Sequence, residues 1–126
     1  MSKLEKDVSK EVKIALDALE ASGAVLWWER LNSGKVRTEY GGWLQLCKNG
    51  TSDFIALLPV EGGILPYFIE TKSDKGRQTP AQLQFEEKVE ACGCLYELIR
   101  DVKDMRVTVE RITQFNKRKL ESIELF

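Results

Sequence analysis

Apolar residues recur at three- and four-residue steps from position 5 to 21, where Val8, Val12, Ala15, Leu16 and Leu19 would line one face of a helix. Ser22-Gly23 supplies its stop. The period then changes. Residues 24–31 are rich in types that suit a sheet and read as a first strand. Asn32-Ser33-Gly34 is a turn signal, after which residues 36–40 and 43–47 are predicted to pair as a hairpin across Gly41-Gly42. Two short apolar runs follow, 53–59 and 64–71, joined by Glu61-Gly62-Gly63 and therefore expected to be antiparallel neighbours. Residues 73–79 form a charged loop. Thr79-Pro80 offers an N-cap and a first-position proline for a helix to about residue 91, expected to bury Leu83, Val89 and Phe85 and to end near Gly93. Residues 95–99 read as a further strand and 102 to about 122 as a last helix, ending in a charged tail.

This order predicts an α/β fold with one central sheet. A hairpin followed by a crossover helix makes that sheet mixed rather than fully parallel. On a strand Trp27 and Trp28 face opposite ways, so one belongs to the core. The other tryptophans, Trp43 included, are expected to pack rather than to stack on bases.

Length sets the scale: 126 residues suit a single domain spanning 1–126, its core at about 5–100 and a helical extension at 101–126. Apolar residues make up 43% and charged residues 31%, which excludes a disordered tail. No run reaches the roughly 20 apolar residues of a membrane span, and residues 1–7 hold no hydrophobic signal segment, so an intracellular protein with no membrane partner is expected. Three cysteines, an odd number, and no histidine speak for reduced thiols and against structural zinc. Cys92-Gly93-Cys94 reads as small side chains at a helix-to-strand junction. The net charge of −1 says little about nucleic acid, because its distribution is uneven. Residues 30–48 carry four basic residues against one acid, and residues 100–119 seven against three.

The chemistry concentrates at the ends of the two paired strands. Asp53 opens one, and Glu70-Thr71-Lys72 closes the other. Side by side, these strands would bring Asp53 and Glu70 to one hard cation with Lys72 next to them, which suits metal-assisted hydrolysis of a phosphodiester. Strand alternation places Glu70 and Lys72 on one face and turns Thr71 away. An oxygen-only donor set points to Mg²⁺ or Mn²⁺. Lys35, Arg37 and Lys48, with Lys75 and Arg77 of the charged loop, are candidate grips for DNA phosphates.

Asn32-Ser33-Gly34, Gly50-Thr51-Ser52-Asp53, Ile69-Glu70-Thr71-Lys72, Thr79-Pro80-Ala81-Gln82-Leu83-Gln84-Phe85 and Ala91-Cys92-Gly93 occur in an order and spacing that resembles the virus-type replication-repair nuclease (VRR-Nuc) family. That family belongs to the restriction-endonuclease-like PD-(D/E)XK superfamily. The resemblance covers roughly residues 5–100. It implies a restriction-endonuclease-like mixed central β-sheet flanked by helices, and a metal-dependent endonuclease. By the same resemblance, Asp53, Glu70 and the Thr71 carbonyl would be metal ligands, Lys72 would serve the attacking water, and Gln82 would match the family glutamine. Glu5 would match the first-helix acid, with Glu11 as its rival about 120° away around the helix. Stand-alone members resemble resolvases, which implies a homodimer cutting branched DNA such as four-way (Holliday) junctions. A flap or duplex-end nuclease, or a non-catalytic DNA-binding subunit with the same fold, are the alternatives.

Overall fold

The structure, a computed structural model, describes residues 3–32 and 34–124, the last six of them by backbone only. Ser33 of the expected turn and the end of the charged tail lie outside the described residues. Helix α1 runs Glu5–Ser22, and Gly23, at φ 87°, closes it by donating its N–H to the Glu20 carbonyl. Strand β1 (Trp27–Arg30) follows, then a ribbon of β2 (Lys35–Arg37) and β3 (Trp43–Gln45). Strands β4 (Phe54–Val60) and β5 (Gly63–Thr71) come next, then helix α2 (Pro80–Ala91), strand β6 (Leu95–Ile99) and helix α3 (Val102–Glu124).

The main sheet has the order β1-β4-β5-β6. Its first three strands are antiparallel, and β6 joins β5 in parallel through the crossover that contains α2. The fold is therefore α/β with a mixed sheet, as the element order requires. Pro59 and Pro66 are tolerated in these inner strands because each lies beyond the end of the outer neighbour: β1 stops pairing opposite Leu57, and β6 starts opposite Tyr67.

One face of the sheet forms the core. Phe54, Ala56, Leu58, Tyr67 and Ile69 meet Val8, Val12 and Leu16 of α1 and Met105 and Val109 of α3, all fully buried. Those helix residues sit at four-residue steps, the stripe that apolar burial selects. Trp28 joins this face, its ring 6.0 Å from that of Phe54 and its indole N–H donated to Asp17. Helix α2 covers the other face, where Phe85 contacts the rings of Phe68 and Tyr96.

Several expectations need correction. Leu83 is 46% exposed, and Phe85 and Val89 are only half-buried, because α2 turns Gln82, Phe85, Glu86 and Val89 toward the sheet and leaves Leu83 a helical step to the side. The first strand begins at Trp27 rather than residue 24. The hairpin strands are shorter than expected because Thr38 and Gly42 bond to each other through backbone and hydroxyl, widening the turn around Gly41. Trp43 does not pack into the body. It is 67% exposed on a ribbon that stands apart, with the Arg37 guanidinium 5.9 Å from its ring centre. Trp27 is about half exposed on the sheet face opposite the core.

The loop before β4 is welded to α2 at Gly50. Its φ is 92°, and a Cβ there would lie 2.4 Å from the Ala81 carbonyl oxygen. Gly50→Ala is accordingly expected to cost about 1–3 kcal/mol by overpacking, with a further 1 kcal/mol or so from the left-handed backbone. Thermal or urea unfolding would register this; a loss within experimental error would mean that the loop does not press on α2.

Candidate metal centre

Strand register builds this site. Phe54 pairs with Ile69, so Asp53, one residue before β4, comes level with Glu70 near the end of β5. The first turn of α1 brings in Glu5. One carboxylate oxygen from each of Glu5, Asp53 and Glu70 lies within 4.8 Å of the other two. Three like charges at this spacing repel one another unless a proton or a cation intervenes.

Each acid is held differently. Asp53 Oδ2 accepts two hydrogen bonds of 2.8 Å from Thr71, one from its backbone N–H and one from its hydroxyl. Thr71 therefore does not simply turn away, as strand alternation suggested; its side chain clamps the neighbouring acid from the core face. Glu70 Oε1 accepts from Gln82 Nε2 at 2.9 Å and lies 3.9 Å from the Lys72 ammonium. Glu70 Oε2 is buried and has no hydrogen-bond partner. A buried oxygen without a donor calls for an explanation, and a ligand ion is one. With the Glu70 side chain only 2% exposed, burial first and the Asp53 charge second push its carboxyl up to about 8, with Lys72 pulling the other way.

Gln82 has two tasks at once. Its Oε1 accepts the Thr79 N–H at 2.9 Å while its own N–H bonds the Thr79 hydroxyl, which closes a capping box at the start of α2. The amide nitrogen left over reaches Glu70. Glutamate would cap equally well but has nothing to donate to Glu70.

The donors at the cluster are oxygens only, with one buried oxygen unengaged, and they fit a hard divalent cation. Of the two candidate first-helix acids, Glu5 joins the cluster, whereas Glu11 pairs with Lys3 at 2.9 Å. Lys35 and Arg37 lie on the ribbon, Lys48 at its base, and Lys75 and Arg77 on the loop after β5, all exposed. None of these five lines the cleft of about 440 Å³ that opens beside Asp53. The cations that do are Lys6, Lys10, Lys13 and Arg30, which sequence reasoning missed. Their signal was the spacing 6, 10, 13 on the same helix as Glu5.

Cys47, Cys92 and Cys94 are free thiols. No helix among the described residues is long and apolar enough to cross a membrane. Compared with known proteins, the chain matches no family model, no curated protein and no solved structure.

Two outcomes are expected. Without metal, folded Glu70 binds its proton more tightly than unfolded Glu70, so the native state carries the extra proton between the ordinary glutamate range and about pH 8. Stability contributed this way is complete below that window and falls as pH rises through it, by up to about 1.4 kcal/mol per pH unit. Urea titrations in EDTA from pH 5 to 9 would show this slope, and Glu70→Gln should flatten it; identical pH profiles for the two proteins would refute the assignment. In the second, Gln82→Glu keeps the capping box yet sets a carboxylate against Glu70, and should move the pH-dependent loss of stability to higher pH in the same urea titrations; an unmoved profile would count against the contact. Gln82→Ala should instead cost about 1 kcal/mol of stability through the lost cap.

Proposed function

We propose that the chain is a divalent-metal-dependent endonuclease that hydrolyses phosphodiester bonds in DNA, with branched DNA such as four-way junctions as its preferred substrate. The observation that carries this reading is the meeting of Glu5, Asp53 and Glu70 within 4.8 Å, with the Glu70 Oε2 buried and unengaged and the Lys72 ammonium beside the same carboxylate. The ordered motifs that resemble virus-type replication-repair nucleases support it, and they also supply the junction preference and the homodimer.

In this reading Asp53, Glu70 and Glu5 hold Mg²⁺ or Mn²⁺, with the Thr71 carbonyl as a further ligand. When bound, the ion would offset phosphate charge and lower the pKa of a coordinated water. The protein groups do the positioning. Thr71 fixes Asp53 through two bonds, so its second oxygen stays directed to the cluster. Gln82 occupies Glu70 Oε1 and leaves Oε2 for the ion. Lys72, held close to Glu70 and largely buried, orients the attacking water and meets the negative charge that grows on the phosphate. Burial matters here, because an ammonium out of bulk water keeps more of its field.

The test is a panel of labelled four-way junction, flap and linear duplex, each incubated with Mg²⁺, Mn²⁺ or EDTA. Junction cleavage dependent on metal is expected, with Asp53→Ala, Glu70→Ala and Lys72→Ala each lowering the rate by about 100-fold or more. A junction that shifts on a gel but stays uncut in both metals would replace the enzyme with a binding subunit. Preferential cutting of flaps or duplex ends would keep the chemistry and move the substrate.

A further inference from the structure

The cleft beside Asp53 has one cationic wall. Lys6, Lys10 and Lys13 project from successive turns of α1, and Arg30 faces them from the end of β1. Helix stability does not account for these residues. Lys6 and Lys10 stand four apart and Lys10 and Lys13 three apart, so like charges are stacked along one stripe and repel. Lys6 also lies in the first turn, where the helix dipole disfavours a cation. Nor are the charges neutralised locally: none of the four makes an ion pair or side-chain hydrogen bond among the described residues. Asp17, one turn beyond Lys13, is engaged by the Trp28 indole at 3.0 Å instead.

We propose that this wall is a phosphate track, which holds the backbone of a nucleic-acid strand and leads it to the carboxylate cluster. A row of cations without ion pairs is stabilised when a polyanion lies along it. The dimensions agree. Lys6 to Lys13 spans about 10 Å of helix, which matches about three base-pair steps measured along the axis of a B-form duplex. Glu5 and Asp53 share the cleft with the wall, so a strand gripped there passes the candidate metal site. The choice of DNA as the polyanion rests on the nuclease reading above, while the grip itself is an electrostatic property of the wall. Its position differs from that of the ribbon residues Lys35 and Arg37, which line none of this cleft.

The experiment measures DNA binding in EDTA, so that cleavage plays no part. Full-length wild type and the triple variant Lys6→Gln, Lys10→Gln, Lys13→Gln are titrated by fluorescence anisotropy against a labelled four-way junction and a linear duplex over a range of NaCl. A second triple variant, Lys88→Gln, Lys103→Gln, Lys117→Gln, removes the same charge elsewhere. Each lost phosphate contact flattens the plot of log affinity against log salt by about 0.9. The wall variant is expected to lose about 2 to 3 in slope and at least tenfold in affinity at low salt, with the control much less affected. Its melting temperature should be unchanged or higher, and its Mn²⁺ affinity unchanged or tighter, since nearby positive charge has been removed. An unchanged slope, or equal losses in both variants, overturns the proposal even if the wild type cuts DNA. A wall-specific loss in a protein that cuts nothing in Mg²⁺ or Mn²⁺ supports the track and sinks the nuclease reading instead.

Discussion

The bond from Gln82 to Glu70 is the constraint on which the arrangement of this site depends. A helix N-terminus leaves backbone N–H groups in need of acceptors, and α2 meets that need with a capping box between Thr79 and Gln82. The same amide then donates to a carboxylate on β5 that is nearly excluded from water. One side chain thus sets where α2 begins, how it is rotated against the sheet, and which oxygen of Glu70 remains free. The rotation has consequences along the whole helix. With Gln82 turned inward, Phe85, Glu86 and Val89 follow on the same face and Leu83 is left outside. Gly50, pressed against the Ala81 backbone, ties the approach to Asp53 to that same first turn. The two strand-end acids are therefore referenced to one helical turn, although they lie on different strands.

Such a cluster is costly to fold. Three carboxylates converge, one of them buried, and an interior of low polarity strengthens their repulsion. The chain relieves part of this with hydrogen bonds to Asp53 and with Lys72 near Glu70, and the proton held by Glu70 relieves more. An alternative of purely structural origin would pair every oxygen, as buried polar groups ordinarily are. Here the most buried carboxylate keeps one oxygen without a donor. A buried oxygen without a donor, set beside a cleft, is a position where a water or an ion would complete the bonding.

Much of the architecture was legible in the chain. The switch from a three-to-four-residue period in α1 to short apolar strands, and the Thr79-Pro80 start of α2, each follow from local rules. The meeting of Asp53 and Glu70 was also legible, because two strands joined by a tight turn have little freedom in register. What escaped was set by rotation and by side-chain choice. Nothing local decides which face of a weakly amphipathic helix turns inward, so the sequence alone puts Leu83 in the core although it is exposed. Glu5 and Glu11 carry the same charge on the same helix; only the packing of Val8 and Val12 against the sheet orients Glu5 to the cluster and leaves Glu11 for Lys3. The Thr71 bonds to Asp53 are not legible because alternation speaks of faces and not of what a hydroxyl at the strand end can reach. The lysines of α1 look like an ordinary solvated face until the edge of the sheet is placed beside them.

The two faces of the sheet carry different halves of the candidate chemistry, and this division follows from topology. Alternation on β5 sends Glu70 and Lys72 toward α2 and Thr71 toward α1. Asp53 and Glu5 meet Glu70 only because β4 begins, and α1 begins, at the edge where β5 ends. The α2 side is closed: Gln82 fills it and Lys72 is largely buried there. The α1 side is open, with the cleft and its cations. On the proposed reading, a polyanion would approach along α1 and past Arg30. On the nuclease reading, Lys72 would reach the phosphate at the sheet edge where Glu5, Asp53 and Glu70 meet, since its ammonium lies 3.9 Å from Glu70. On that reading, grip and chemistry would be separated by the thickness of a single strand, as alternation along an acid, any residue, lysine pattern allows at a sheet edge.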